Sequence, residues 1–448
     1  MGRTRRAGPC TAARAAFCTA VLAMAMACTS CRAHEAGDER PVVTVFGAFT
    51  DRDADAFIAS MAAFERSSGI DVRYVGSARF ETDLLERVRR GSPPDLALIP
   101  QPGLVQALAD DGLALPYDGE LAAAARHDVD PRLIDLVAVD GQAFGSWYSV
   151  APKSLVWYSP VEFSARGLRP PSTWDELIAL TDQIQESGTA PWCLGVRDGG
   201  ATGWVATDWV EDIVLHFEGP QVYDRWISHE VPFSDGRIVS AVDRFGIIAL
   251  GNGRVNGGNR AAVEFTVREA ANQLLGSSPD CLLHRQASFL TDFIDREVDI
   301  APDGELWVFP FPGPADGATS MLVGGTVAAR FTDRPETRQL AEYLTTAEAA
   351  TERARLGGFV SALDSVEADY YPALLQRTIA GWTRDAEVLR FDASDLMPPE
   401  VGTDAFWVGM NSWLGGARLA TTMAAIDDAW PLEVQPRQTL DAGGDSED

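Results

Sequence analysis

The sequence predicts an α/β protein of two lobes, and three observations carry that prediction. From Pro41 onward, short β-branched runs alternate with amphipathic helical segments, the order that builds a largely parallel sheet covered by helices. The 448-residue chain leaves roughly 410 residues after its N-terminal leader, more than one ordinary domain holds. With 46% hydrophobic residues it can bury a large core.

The leader comes first. Arg3, Arg5, Arg6 and Arg14 precede the uncharged run Ala15 to Ala27, which closes on Ala25-Met26-Ala27. That run is shorter than the about 20 apolar residues a permanent span needs, and its basic, apolar, small order is that of a secretory signal peptide over residues 1–27. Ala27-Cys28 resembles the bacterial lipobox, with Ala25 where Leu is usual, so Cys28 is the expected lipidation site and Cys31 the second candidate; plain secretion would leave both unmodified. Residues 28–40 are small and polar, as a tether to a membrane anchor should be.

The body follows in order. Val42 to Phe46 reads as a strand, Asp53 to Ser67 as a helix with Phe57, Met61 and Phe64 on one face, and Ile70 to Val75 as an alternating strand. A helix over Arg79 to Arg90 stops at Gly91-Ser92-Pro93-Pro94. The short apolar strand Asp95 to Ile99 and a helix over Leu104 to Ala109 come next. Sheets of this kind take ligands beyond the carboxyl ends of their strands, here the turns after Phe46 and Ile99. Trp147 to Tyr158 is extended and apolar. Thr173-Trp174-Asp175-Glu176 opens a helix through Ile184 as a capping box, and Asp235 caps another to Leu250. Thr319 to Ala329 is β-rich. Helices over Pro335 to Leu344 and Ala347 to Arg355 end at Gly357-Gly358, and residues 435–448 form an acidic tail expected to be disordered.

Charge and cysteines narrow the function. A net charge of −28 repels nucleic acid and anionic membrane surfaces, so a neutral or cationic small ligand is the compatible partner. Cys10 and Cys18 leave with the signal, and if Cys28 takes the lipid then Cys193 and Cys281 remain as the natural disulfide pair in an oxidising compartment. Closing so long a loop is worth about 4 kcal/mol on the chain-entropy argument.

Lys153 is the only lysine among 37 basic residues. It follows Val150-Ala151-Pro152, which excludes a phosphate-cradling Gly-Lys-Ser/Thr loop, and no Ser stands three residues ahead of it to make a Ser-x-x-Lys nucleophile. The histidines at 34, 127, 216, 229 and 284 never pair at metal-ligand spacing, so no metal and no cofactor is expected. Gly251-Asn252-Gly253 ends a helix and is a turn. Asp208 with Glu211 or Asp212 would suit a glycosidase pair only by coincidence in so acidic a chain. What stands out is Trp and Phe mixed with amides and carboxylates near turns, the residue types that stack on a sugar ring and bond its hydroxyl rim. The bland alternative for any single Trp is a place in the core.

Several segments together resemble the ABC-transporter extracellular solute-binding proteins of the carbohydrate class, and most closely their alpha-glucoside-binding branch. Pro94 to Gly103 is similar to the first-lobe strand and turn, and Lys153-Ser154-Leu155-Val156-Trp157-Tyr158 to the hinge crossing. Ala201 to Asp212 and Gly219 to Trp226 are similar to second-lobe segments. Gly324-Gly325, Gly357 to Ser361 and Phe406-Trp407 stand at a second crossing, a loop and a cleft aromatic. The resemblance implies a two-lobed periplasmic-binding-protein-like fold with an interlobe cleft. Its first lobe would comprise 41–150 and 325–375, its second 151–324 and 376–434. It implies a monomer, without a chemical step, that captures an alpha-linked di- or oligosaccharide for an ABC permease at the outer face of the cytoplasmic membrane or in the periplasm. It implies a cleft of Gln101, Thr202, Trp204, Arg285, Gln286, Phe311, Gly325 and Trp407. Asp208 would orient the Trp204 loop or accept a sugar hydroxyl, and Lys153 would fit a tight hinge turn that a guanidinium would crowd. An exported glycosidase and a ligand-sensing lipoprotein are the rival readings.

Overall fold

The computed structural model describes residues 40–431. The signal peptide, Cys28 and Cys31, nearly all of the tether and the acidic tail lie outside the described residues. No helix among the described residues is long and apolar enough to cross a membrane.

Two sheets organise the chain. The larger has seven strands. Val42–Gly47, Asp71–Gly76 and Leu96–Ile99 pair in parallel, as the strand-helix alternation predicts. Leu96–Ile99 is apolar and buried at every position because it lies between Val42–Gly47 and the long strand Ser320–Arg330, with both of its faces covered. Ser320–Arg330 runs antiparallel to Leu96–Ile99 and to Ser146–Pro152, which in turn pairs with Val360–Ser361. The smaller sheet is ordered Trp307–Pro310, Leu155–Tyr158, Cys281–Arg285, Ala190–Trp192.

The extended stretch expected at 147–158 is two strands, and each belongs to a different sheet. Only Lys153 and Ser154 separate them, so these two residues carry the chain from one sheet to the other. They are tied to the returning strand: the Lys153 N–H donates to the Leu322 carbonyl at 2.7 Å, and the Leu322 N–H donates to the Ser154 hydroxyl at 2.7 Å.

Local signals behave as chemistry predicts, with two differences. Thr173 caps the helix Trp174–Glu186 by accepting from the Glu176 N–H at 3.3 Å. Glu176, however, reaches one residue further back and accepts from the backbone and hydroxyl of Ser172, so the reciprocal half of the box is displaced. The second difference lies in the C-terminal part, where 376–434 was expected to continue the second lobe. Val388–Phe391 instead pairs in parallel with Ser320–Val323 of the larger sheet, because the eleven-residue strand offers backbone groups there and Leu389 and Phe391 bury their side chains. The later helix Leu419–Asp428 sits elsewhere: Asp427 accepts from the backbone of Phe233 and Ser234.

Cys193 and Cys281 form the expected disulfide. It joins the strand Cys281–Arg285 to the residue that follows its parallel neighbour Ala190–Trp192. Trp147, Trp157, Trp192, Trp209 and Trp226 are fully buried, so the core claims five of the tryptophans.

Candidate functional site

A cleft of about 340 Å³ opens beyond the carboxyl ends of the first-sheet strands. The turn after Val42–Gly47 contributes Phe49, and the turn after Leu96–Ile99 contributes Gln101, the two turns the topology rule singled out; Asp53 comes from the first turn of the helix Asp51–Ser60. The crossings add Lys153 and Gly325. Asp198, Trp204, Phe289 and Asp292 come from the stretch that includes the second sheet, and Asp395 and Trp407 from the C-terminal part.

A glycine seats the start of the Trp204 helix against the Trp407 backbone. Gly203, at φ 116°, caps the helix Trp204–Glu218, and a Cβ there would lie 2.1 Å from the Trp407 carbonyl oxygen. No other residue allows that approach. The Trp204 indole N–H donates to Asp198 at 2.8 Å, which fixes its ring, and the Lys153 ammonium sits 5.4 Å from the ring centroid. Trp407 follows the π-helix Glu400–Phe406, a local widening that recurs at functional sites and re-aims the residue after it. Trp407 is 7% exposed, yet its indole N–H has no partner among the described residues, nor has the Gln101 side-chain oxygen. Buried polar atoms are normally satisfied, and both of these lie on residues that line the cleft.

Four of the expected cleft residues lie beneath the wall instead of on it. Arg285 is 1% exposed and donates to Asp208 at 2.8 Å and to Asp212 at 2.7 Å. Asp208 and Asp212 are one helical turn apart on Trp204–Glu218, which is buried from Val205 to Leu215, so their shared face turns inward to the guanidinium. Gln286 folds back on the Ala287 N–H at 2.8 Å, and its carbonyl accepts from Trp157. Phe311 packs on Trp174, Trp209 and His216 as a core ring. Thr202 is also off the wall; its hydroxyl donates to the Gly199 carbonyl and accepts from the Asp198 N–H, holding the loop that presents Asp198 and Trp204. Asp208 thus lies beneath the wall, fully buried between Lys153 and Arg285.

Lys153 is both wall and foundation. Its ammonium bonds Asp208 at 3.0 Å and also Asp392. Burial alone would favour neutral lysine, but the facing Asp208 and Asp392 carboxylates outweigh it and hold the ammonium charged. Burial would likewise raise Asp392, yet Lys153 holds it down to about 2. Among the described residues, carboxyl oxygens of Asp208, Glu211 and Asp392 lie within 4.8 Å of one another. The Lys153 and Arg285 cations already face that cluster, and Glu211 accepts from the Ala393 and Ser394 N–H groups, so its donor set fits ion pairing and leaves a metal ion no place.

The rim was not legible from sequence. Arg353 bonds Asp53 across 300 residues and stands over Phe359 at 5.0 Å. Asp292 sits beside them, and burial, then the Asp53 charge, push its carboxyl up to about 7. Arg268 approaches Asp51 at 3.7 Å. None of these residues belongs to a motif. A faint signal existed in Asp53, an acidic residue in the first turn of the helix that follows the first strand.

Residues 50–351 match the family described as bacterial extracellular solute-binding protein. The chain belongs to that family. This binding protein is 39% identical over 398 residues to the osmoprotective compounds-binding protein GgtB of Synechocystis sp., covering 88% of this chain and 94% of that one. It is 34% identical over 396 residues to the alpha-glucosides-binding periplasmic protein AglE of Rhizobium meliloti, covering 87% and 86%. In three dimensions it resembles the bacterial solute receptor AcbH, with a TM-score of 0.76 at 18% identity over 87% of this chain and 98% of the other. It also resembles maltose-bound MalE3 of T. maritima, with a TM-score of 0.69 at 15% identity over 86% and 98%. The fold of this binding protein is accordingly the two-lobed α/β fold, with the cleft where the two sheets' elements meet.

Proposed function

We propose that this binding protein captures an alpha-linked di- or oligosaccharide outside the cytoplasm and delivers it, without altering it, to an ABC permease. The observation that carries the reading is the wall of Trp204 and Trp407 beside the unpartnered Gln101 oxygen and Trp407 N–H. Aromatic faces suit the C–H faces of a sugar ring, and the orphaned acceptor and donor suit its hydroxyls. Gln101, Trp204, Gly325 and Trp407 are the ligand-contacting residues of this reading. The names of the two relatives support the ligand class, one taking osmoprotective compounds and the other alpha-glucosides. The leader and Cys28 support export with a lipid anchor at the cell envelope, the body working as a monomer. A glycosidase is disfavoured by a specific feature: Asp208 and Asp212 are committed to Arg285, and Asp208, Glu211 and Asp212 are all fully buried.

The test is calorimetric titration with maltose, trehalose and sucrose, alongside a search for released glucose. Binding of at least one sugar without hydrolysis is expected. Hydrolysis, or no binding of any of the three, would defeat the proposal.

A further inference from the structure

Asp395 is 8% exposed and lines the same cleft wall as Gln101 and Trp407. Its backbone N–H is tied to Asp392 at 3.0 Å, and its carboxyl has no hydrogen-bond partner among the described residues. The three residues are neighbours by packing. The helix Pro102–Asp110, for which Gln101 is the N-cap, and the π-helix Glu400–Phe406 both pack on the short helix Ala393–Leu396 that bears Asp395. A Cβ on Gly402 would stand 1.9 Å from the Ser394 carbonyl oxygen, which shows how closely the segment leading to Trp407 is seated there.

We propose that Asp395, Gln101 and Trp407 form a subsite for two neighbouring hydroxyls of the ligand, and that Asp395 is its specificity-determining residue. The inference rests on the sugar reading above and deepens it. Below Asp395, the carboxyls of Asp208, Glu211, Asp212 and Asp392 share two cations, Lys153 and Arg285. Burial and the adjacent Asp392 charge, reinforced by Asp208 and by Glu81 and only partly offset by Lys153, push the Asp395 carboxyl well above the usual carboxylate range. A neutral carboxyl offers one donor and one acceptor. With the Trp407 N–H and the Gln101 oxygen, the buried groups of these three residues without a partner among the described residues come to two donors and two acceptors. A lone hydroxyl donates once and leaves an acceptor unmet. An anionic group donates nothing, and an ammonium accepts nothing from Trp407. Two adjacent hydroxyls, each donating once and accepting once, satisfy all four.

The experiment is calorimetry of the purified exported protein with maltose, trehalose and sucrose, on wild type, Asp395→Asn, Asp395→Ala and Gln101→Leu, with apo melting temperatures as control. Asparagine keeps a donor and an acceptor, so Asp395→Asn should bind the best sugar within about threefold of wild type, whereas Asp395→Ala and Gln101→Leu should each weaken it by about tenfold or more. If wild type binds none of the sugars, the sugar reading falls and takes the subsite with it. If wild type binds and Asp395→Ala binds equally well, the subsite alone is overturned. An Asp395→Asn variant as weak as Asp395→Ala, at unchanged apo melting temperature, overturns the neutral-carboxyl pairing. Should Asp395→Ala fail to fold, Gln101→Leu decides, and an unchanged affinity in it refutes the assignment.

Discussion

Replacing Lys153 with alanine should destabilise the folded protein by about 3 to 5 kcal/mol at pH 7, the cost of removing one partner from a buried ion pair. The side chain is 8% exposed, and its two bonds go to carboxylates that are themselves 1% exposed. Asp392 supplies the worked part. Lys153, with the Ser394 hydroxyl and the Asp395 N–H, outweighs burial and holds that carboxyl down from 3.8 to about 2, a difference worth about 2 kcal/mol of folding free energy, most of it tied to Lys153. A depressed folded pKa contributes stability that is present above about pH 4 and lost as pH falls toward 2. Asp208 supplies less, because Arg285 still compensates it once Lys153 is gone. In the variant the sign reverses for Asp392: burial now favours the protonated acid, so stability should recover as pH falls from 7 to 5. Urea denaturation of wild type and Lys153→Ala at pH 7 and pH 5 measures both quantities. A loss under about 1 kcal/mol at pH 7, or a loss of the same size at pH 5, would refute the reasoning. Lys153→Arg keeps the charge but not the shape. The lysine stem passes so close to Gly324 that a Cβ there would lie 2.8 Å from Cε, and a guanidinium in that space should cost about 1 to 3 kcal/mol through overpacking.

Three further outcomes follow from the same structure. Trp204→Ala should weaken the best sugar by about 2 kcal/mol or more with little change in apo melting, whereas Trp407→Ala, removing a mostly buried ring, should lower affinity and also cost about 3 kcal/mol of stability; calorimetry with melting on both variants separates these, and retained affinity in both would place the rings outside the binding surface. Asp292, raised to about 7, contributes stability that is fully present below about pH 4 and is lost progressively as pH rises through 7. Asp292→Asn should flatten that slope between pH 4 and 8, and parallel melting curves for the two proteins would contradict the assignment. Alkylation before reduction should label neither Cys193 nor Cys281, and the double Cys→Ser variant should lose about 3 to 4 kcal/mol; a free thiol at either position in the exported protein refutes the bridge.

Much of the fold was already determined by the chain read on its own. Burial imposes a period of about two on strands and about 3.6 on helices, so Val42–Gly47, Leu96–Ile99 and Trp174–Glu186 announce themselves within a few residues of their ends. Counting cysteines against a signal peptide sufficed for the disulfide, and the strand-end rule pointed to the turns that carry Phe49 and Gln101. The inward or outward direction of a polar side chain was decided elsewhere. Arg285 and Asp208 have the residue types of a sugar site, yet each finds an opposite charge across about 77 residues and is drawn beneath the wall. Asp53 meets Arg353 over 300 residues, and the Asp395 carboxyl is left without a hydrogen-bond partner among the described residues because the network's two cations are already taken by other carboxylates. Periodicity reports how one segment meets the core. A site is the meeting of many segments, and only the paired crossings at Lys153 and Ser320–Arg330 bring these carboxyls, rings and amides to one cleft.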